Sequence, residues 1–487
     1  MADNNNETDS KLKDSYITGQ TGQKVELRGT LLKLTRYAVV FEMYNPAAVL
    51  RTSEVLQTFK IVVADAQLYS GTSVVRSVIS TGSSVVVCEV TLDESGWLDV
   101  GLIASNGQLG KKIGAEYQGF LKEWQKLYRV RSEFKLALAD MQTYFTDLRL
   151  WLDQLELGLR AAAPGEVLER ERELAAKLSP HTAATMNAMF EHFEETVRQV
   201  EEDARPAHQL FARRQLHPLL LCSPFLHRCY VKPLGYAGDY EMVNMMLRSP
   251  YEGASLFAKV VNFWFLQQAP AEAHRNRIDY LVRQLVQVTA QAASQNRRAR
   301  ILNVACGPAQ EVQRFLADHK ISSHADISLL DFNEETLTNS RALMTDLKNK
   351  HQRSTTFHYI KKSVYNIVKE SGKTVKDANQ PKYDFVYCAG LFDYLSDQVC
   401  QHMMNVMYDW LAPGGLLVST NVDASNPRRL TMDYVMAWHL IYRTGAELAA
   451  VKPVSASPDD CRVIADMTGV NIYLEVTKPD REQISHQ

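Results

Sequence analysis

The sequence predicts a chain of several domains: a small β-barrel, then a helical connector, then a doubly wound α/β domain at the C-terminal end. Three observations carry this. Between Lys24 and about Val100 the chain consists of short β-rich runs broken by turns. From Phe120 to Leu159 apolar residues recur at spacings of three and four. The stretch Ile301-Leu-Asn-Val-Ala-Cys-Gly-Pro-Ala-Gln-Glu-Val312 is an apolar run that breaks into a small-residue turn and resumes as an amphipathic segment (Val312, Phe315, Leu316).

Length and composition agree with that division. At 487 residues the chain calls for two or three domains, and 46% hydrophobic residues can build their cores. A formal net charge of −2 gives no electrostatic reason to expect nucleic acid or an anionic membrane as partner. The seven cysteines (88, 222, 229, 306, 388, 400 and 461) have no paired metal spacing, and no metal site is expected. They read as small buried hydrophobes in a reducing compartment, Cys306 included. With no secretory leader and no apolar run long enough to span a bilayer, the expected setting is cytoplasmic and soluble.

Residues 1–20 are polar, with Asn4, Asn5 and Asn6 in a row, and predict a disordered tail. The barrel follows over 21–108. Its candidate strands are Val25–Arg28, Ala38–Met43, Phe59–Val63, Ser84–Val90 and Trp97–Leu102. Their size and order resemble a PilZ-type barrel, a family whose usual ligand is cyclic di-GMP. That ligand requires an Arg-x-x-x-Arg arm and an Asp/Asn-x-Ser-x-x-Gly strand motif. The comparable stretch here, Lys33-Leu-Thr-Arg-Tyr-Ala38, has no arginine pair before it. A docking module without the nucleotide site is therefore expected.

The helical, coiled-coil-like region covers 110–216. Phe120, Trp124, Leu127, Phe134, Leu138, Met141, Phe145, Leu148, Leu152, Leu155 and Leu159 form one stripe, interrupted at Arg131. A single helix of that length, about 60 Å at 1.5 Å per residue, cannot bury its stripe alone. Ala163-Pro-Gly165 ends it, and further helices are read at Glu166–Leu178 and Thr182–Asp203. A helical hairpin or a homodimeric bundle satisfies the pattern, and a homodimer through this region is the partner expected.

A substrate cap and helical lead-in are placed at 217–295, and the α/β core at 296–487. In the core, Gly307 with the small Ala305 and Ala309 lets the backbone approach a ligand at a helix N-terminus. A second run, Ile327–Leu330, ends in Asp331, about where nucleotide-binding sheets place an acid on ribose hydroxyls. A third, Tyr383–Cys388, leads into Ala-Gly-Leu-Phe-Asp-Tyr394, and a fourth, Leu416–Thr420, follows Leu411-Ala-Pro-Gly-Gly415.

This series, over roughly 270–478, resembles the class I S-adenosylmethionine (SAM) methyltransferases, which have a Rossmann-like core. The resemblance implies SAM as cofactor. Asn303, Ala305, Cys306, Gly307, Pro308 and Glu311 would then hold its methionine end, Asp331 its ribose, and Phe332, Ser363 and Val364 would border the adenine. Gly390 and Leu391 would lie where methyl donor and acceptor meet. Asn303 stands where the family has an acid, and one glycine is kept of the usual three.

Ahead of the core, Lys232-Pro-Leu-Gly-Tyr-Ala-Gly-Asp-Tyr-Glu241 is too irregular for a long helix and rich in aromatic and polar groups, as loops that build a substrate site commonly are. With Arg275-Asn-Arg277 and the Cys-Gly-Pro-Ala-Gln-Glu turn, it looks like the signature of the extracellular-factor 3-hydroxypalmitic acid methyl ester biosynthesis enzymes. That family implies carboxyl O-methylation of a 3-hydroxy fatty acid. The rival readings are an N- or O-methyltransferase for another metabolite or protein, and a non-catalytic regulatory protein on the same fold.

Arg275 and Arg277 suit a carboxylate, either SAM's own or that of an acid substrate. Tyr394, Asn421, Trp438, Tyr442 and Arg443 are the other candidates for substrate contact, the last three placed on one helix with Tyr434 and His439. A sulfonium methyl is already activated, so a carboxylate acceptor needs chiefly positioning. A hydroxyl or amine needs a base. Asp239, Asp393 and His439 are available for that, and Tyr236 with Asp239 and Asp393 forms the candidate catalytic set.

Overall fold

The computed structural model describes residues 15–22, 24–43, 50–63, 66–80, 86–98, 130–159, 164–371 and 382–480. The chain forms two compact units, and neither is a continuous stretch. The first takes Met1–Ala237, Ser249–Gln267 and Pro427–His439; the second takes Gly238–Arg248, Gln268–Asn426 and Leu440–Gln487.

The first unit begins with six antiparallel strands, β1 (Ser15–Gln20), β2 (Glu26–Leu34), β3 (Ala38–Met43), β4 (Val55–Val63), β5 (Ala66–Ser80) and β6 (Val86–Leu92). They close into a barrel in the order β1-β2-β3-β6-β5-β4. Alternation puts Ile17, Leu27, Leu31, Phe41, Phe59, Ile61, Tyr69 and Val90 inside, the period-2 pattern that fills a small barrel. Two corrections to the sequence reading follow. Ser15–Gln20, assigned to the tail, is a strand, since Tyr16 and Thr18 pair with both β2 and β4. Of Trp97–Leu102, Trp97 makes an isolated bridge to Tyr69, Leu98 adds no strand, and 99–102 lie outside the described residues. β5 was not anticipated; its Ser, Gly and Thr content hides the alternation.

Helices α1 (Ser132–Leu159), α2 (Pro164–Arg198) and α3 (Arg205–Leu220) follow. Phe120, Trp124 and Leu127 lie outside the described residues. The rest of the stripe turns inward within one chain: Phe134, Leu138, Met141, Phe145 and Leu152 are buried, and Phe134 and Phe145 meet Phe193 and Phe190 of α2. An intramolecular bundle thus satisfies this part of the stripe. The two helices expected after Gly165 are one, running through Pro180, beside which the Ser179 hydroxyl donates to the Ala175 carbonyl. Arg131 sits ahead of α1 and donates to the Gln199 carbonyl. Two short helices, α4 (Pro224–Val231) and α5 (Tyr240–Leu247), bracket the irregular 232–239 turn, and α6 (Leu256–Leu266) completes the bundle core with Trp264.

The second unit, to which α5 belongs, is built on a seven-stranded sheet. Helix α7 (Ala269–Ser294) leads into β7 (Ala299–Val304), α8 (Gln310–Asp318), β8 (Ala325–Asp331), α9 (Glu334–Lys350), β9 (Thr356–Lys361), α10 (Val364–Ser371), β10 (Tyr383–Cys388), α11 (Asp397–Trp410) and β11 (Leu411–Val422). The sheet order is β12-β13-β11-β10-β7-β8-β9, with β12 (Cys461–Ala465) and β13 (Asn471–Thr477) closing one edge. β7 to β11 run parallel, and β13 runs antiparallel to β11. Ile301, Phe385, Tyr387 and Val418 point to the layer of α7, α8 and α9. Strand alternation therefore sends Val386 and Cys388 to the opposite face, where α11 packs. Buried on both faces, β7 and β8 read as nearly continuous apolar runs.

Candidate functional site

From β7 the chain moves outward to β8 and β9; from β10 it moves the other way to β11. Their carboxyl ends form a topological switch point, the place where open α/β sheets bind ligands. The turn after β7 carries three left-handed residues, Ala305 (φ 56°), Gly307 (φ 52°) and Ala309 (φ 48°). Two of them are not glycine, a strain that persists only where the surroundings enforce it. Here they do: the Cys306 amide donates to Leu330 O at 3.0 Å and the Gly307 amide to Asp331 Oδ2 at 3.1 Å. The Ser340 hydroxyl donates to Gly307 O at 3.0 Å. A Cβ on Gly307 would meet no atom within 4 Å. The turn is open above, and α8 presents its first amides there.

Asp331 closes β8 and is buried. Its other oxygen accepts from the Asn333 amide at 2.9 Å, and its backbone carbonyl accepts from Lys362 N at 2.9 Å, which brings Phe332 and Ser363 to one rim. Ser363 and Val364 follow β9, the third strand of this sheet in chain order. Cys306 is buried, and burial beside Asp331 and Glu311 holds its thiol well above the ordinary range.

Asn303 does not stand alone at the end of β7. Its side-chain amide donates to Glu311 Oε1 at 2.8 Å, and the Tyr387 hydroxyl donates to the same oxygen at 2.7 Å. Burial raises the Glu311 pKa, and the Tyr387 bond and Arg277 partly offset it. A buried carboxylate beside the end of β7 thus comes from the first turn of α8. Tyr387 was missed because only strand pairing reveals its place opposite Asn303.

Arg275 and Arg277 lie inside α7, not at its entrance. Arg275 donates to the Met246 carbonyl at 3.3 Å. The Arg277 guanidinium lies over Gly390 (φ 87°), where a Cβ would come within 3.0 Å of it, so glycine is required for two reasons. The Gly390 amide donates to Thr420 Oγ1 at 2.9 Å, and Leu391 is buried beside it. Asp393 is buried in the next turn. Its Oδ1 accepts from Val422 N at 2.6 Å, and burial raises its pKa against the pull of Arg277 and Arg443. Tyr394, half-buried, ends the same turn. Asp393 does not cap α11, which begins after Ser396.

Other expected residues make bonds within the chain. Asp239 N-caps α5, accepting from Met242 N at 2.8 Å. That helix is tied to the rim by Tyr240 to Glu335 (2.9 Å) and by Gln310 to Asn244 (2.5 Å). Arg443 is fully buried and donates to Phe392 O, Leu395 O, Asn421 Oδ1 and Asp397 Oδ1. Asn421 in turn donates to Val422 O and Ile441 O. Both hold the loop after β10, and their polar atoms are used within the chain. The helix expected to carry Tyr434, Trp438, His439, Tyr442 and Arg443 is α12 (Arg429–Val435) alone. Ala437 turns left-handed (φ 48°), so Trp438, His439, Tyr442 and Arg443 share no helical face. Tyr236, Trp438 and His439 belong to the first unit, where His439 is paired with Asp433. Among the described residues no cluster of His, Cys, Asp or Glu could hold a metal, and no helix is long and apolar enough to cross a membrane.

No protein-family model matches the chain, and no curated protein matches it in sequence. Among solved structures it is similar to a possible exported protein from Bordetella parapertussis, at 17% identity and a TM-score of 0.38 over 62% of this chain and 97% of that one. It is also similar to the magnesium protoporphyrin IX methyltransferase of Synechocystis with bound S-adenosylhomocysteine, at 11% identity and TM-score 0.30 over 43% and 84%. The N-methyltransferase NodS of Bradyrhizobium japonicum, also with S-adenosylhomocysteine, follows at 12% and 0.29 over 50% and 98%. At these scores the likeness decides nothing about function; the chain's own residues must.

Proposed function

We propose that the second unit is a SAM-dependent methyltransferase. The observation that carries this is the strained 305–309 turn at the switch point, bonded through Gly307 to the acid that ends the next strand. SAM is the cofactor: the turn takes its methionine end, Asp331 its ribose hydroxyls, and Phe332, Ser363 and Val364 flank the adenine. Bound there, SAM supplies a methyl group already activated as a sulfonium, and the protein's task is to align an acceptor. The acceptor is a small molecule with an apolar body, best a 3-hydroxy fatty acid methylated at its carboxyl, as the 232–241 segment and the Arg-Asn-Arg run support. A cytoplasmic setting goes with it, and the barrel serves as a docking module.

Asp393 favours a second reading. A buried carboxyl with a raised pKa beside Gly390 is suited to take a proton from a hydroxyl or amine acceptor. Calorimetric titration with SAM, followed by mass analysis of products from labelled SAM and 3-hydroxy fatty acids, tests both. Absence of SAM binding by the folded chain overturns the methyltransferase; methylation at a hydroxyl or nitrogen selects the second reading.

A further inference from the structure

Strand β13, in the second unit, carries two buried side chains whose polar atoms the fold leaves unused. Asn471 and Tyr473 are 2% and 1% exposed. Among the described residues neither the Asn471 side-chain oxygen and nitrogen nor the Tyr473 hydroxyl has a hydrogen-bond partner. Buried polar groups are ordinarily paired, so three such atoms two residues apart on one strand point to a partner from outside the chain. Residues i and i+2 share a face of the sheet. Register sets them beside the switch point: Asn471 lies opposite Val422 and Tyr473 opposite Thr420, at the carboxyl end of β11. Thr420 holds the Gly390 amide at 2.9 Å, and the Val422 amide donates to Asp393. Helix α7 covers the same face, with the Tyr280 ring 4.3 Å from that of Tyr473 and Asn276 donating to Asp466 Oδ2 at 2.8 Å. Asp466 Oδ1 accepts from the Asn471 backbone amide at 2.9 Å, so the strand end is fixed while the side chain goes unsatisfied. Burial raises the Tyr473 pKa, Arg277 lowers it and Asp466 raises it, so the hydroxyl keeps its proton; its neighbour Asn471 bears on it more weakly.

We infer that Asn471 and Tyr473 form a subsite for an alcohol hydroxyl of the methyl acceptor. This rests on the methyltransferase reading and adds the group by which the acceptor is told from its analogue without the hydroxyl. The match is one of donors and acceptors. A carboxamide with both its oxygen and its nitrogen unfilled needs a partner that donates and accepts, and a hydroxyl does both. A carboxylate only accepts and would leave Asn471 Oδ1 alone; an ammonium only donates and would leave Nδ2 alone. Exchanging the oxygen and nitrogen of the amide gives the same match. The Tyr473 hydroxyl, itself donor and acceptor, fits the same partner. Through Thr420 the pair is tied to Gly390, so a 3-hydroxy acid with its carboxyl at Gly390 would bring its hydroxyl toward β13. Both residues stand on a paired strand, which holds such a subsite more firmly than a loop does.

The test loads the full chain with S-adenosylhomocysteine and titrates it calorimetrically with 3-hydroxydecanoate and with decanoate, which lacks only the hydroxyl. Turnover of the two acids with SAM gives a second ratio. The parent should favour the hydroxylated acid by about tenfold or more in affinity and in kcat/KM. Asn471→Leu should bring both ratios close to unity by weakening the hydroxylated acid alone, with SAM affinity unchanged. It replaces an unpaired buried amide by an apolar group of similar size, so the urea midpoint should hold or rise. Should it fold poorly, Tyr473→Phe, which keeps the ring against Tyr280, should reduce the ratios in part. Equal treatment of the two acids by the parent, binding of neither, or a preference that survives both substitutions, as when an internal water fills the space, would overturn the subsite and leave SAM binding standing. A parent chain that binds neither SAM nor S-adenosylhomocysteine would remove the methyltransferase and the subsite together.

Discussion

The Gly307 amide donates to Asp331 Oδ2 at 3.1 Å, so the 305–309 turn and the acid that closes the neighbouring strand are one hydrogen-bonded unit. Asp331→Ala removes the proposed ribose acceptor and releases the turn together. SAM affinity should fall by one to two decades, about 1.5–3 kcal/mol for lost charge-assisted bonds. Gly307→Val, which meets no internal obstacle but forces a branched residue left-handed, should weaken SAM binding as well. Calorimetry on folded variants checks both, and unchanged affinity in the pair rejects the site.

Asp239 and Asp393 separate structure from chemistry. Asparagine caps a helix as well as aspartate does, so Asp239→Asn should keep activity, and Asp239→Ala should lose about 1 kcal/mol of stability. With a carboxylate acceptor, Asp393→Asn should lower turnover and keep the parent's pH profile. A loss of about two to four decades that also abolishes the acidic limb would make Asp393 the base.

Arg443 is buried by the carbonyls it satisfies. Arg443→Met leaves Phe392 O, Leu395 O and Asn421 Oδ1 without their donor, at about 1–3 kcal/mol per buried group before relaxation. The urea midpoint should drop by an amount equivalent to roughly 3 kcal/mol, while SAM affinity of the folded fraction holds. Loss of affinity without loss of stability would return Arg443 to the ligand site.

Lys232, left-handed and buried in the first unit, gives its ammonium to Tyr230 O and Met436 O, and burial lowers its pKa from 10.5 to about 7. The unfolded chain therefore holds a proton between those values that the folded chain has lost. Stability should rise with pH across that interval. Lys232→Met should flatten the rise, seen in denaturant midpoints from pH 7 to 10; an unaltered slope would show the amine to be solvated.

The full chain should not bind cyclic di-GMP, since the segment Lys33–Ala38 has no arginine pair before it. Micromolar binding of a fluorescent analogue, measured by polarisation, would contradict this.

What the sequence determined by itself was local. β3 begins and ends at Ala38 and Met43 as read, β7, β8, β10 and β11 fall on the four apolar runs, and the 305–309 turn announces itself through its small residues. Periodicity and turn chemistry depend on neighbours within one turn or one pleat, so a string of letters holds them. The jobs of Asn303, Glu311, Asn421 and Arg443 were not there to read. Glu311 meets Tyr387 across 76 positions, and Arg443 reaches Phe392 across 51. A buried polar atom takes whatever partner the sheet brings to it, and strand order alone decides which one that is. For the same reason Tyr434 to Arg443 looked helical by spacing, while the chain breaks at Ala437 and the carbonyls of Tyr434, Val435 and Met436 accept from Arg213, His217 and Lys232. Those donors sit more than 200 positions away, and only folding brings them there.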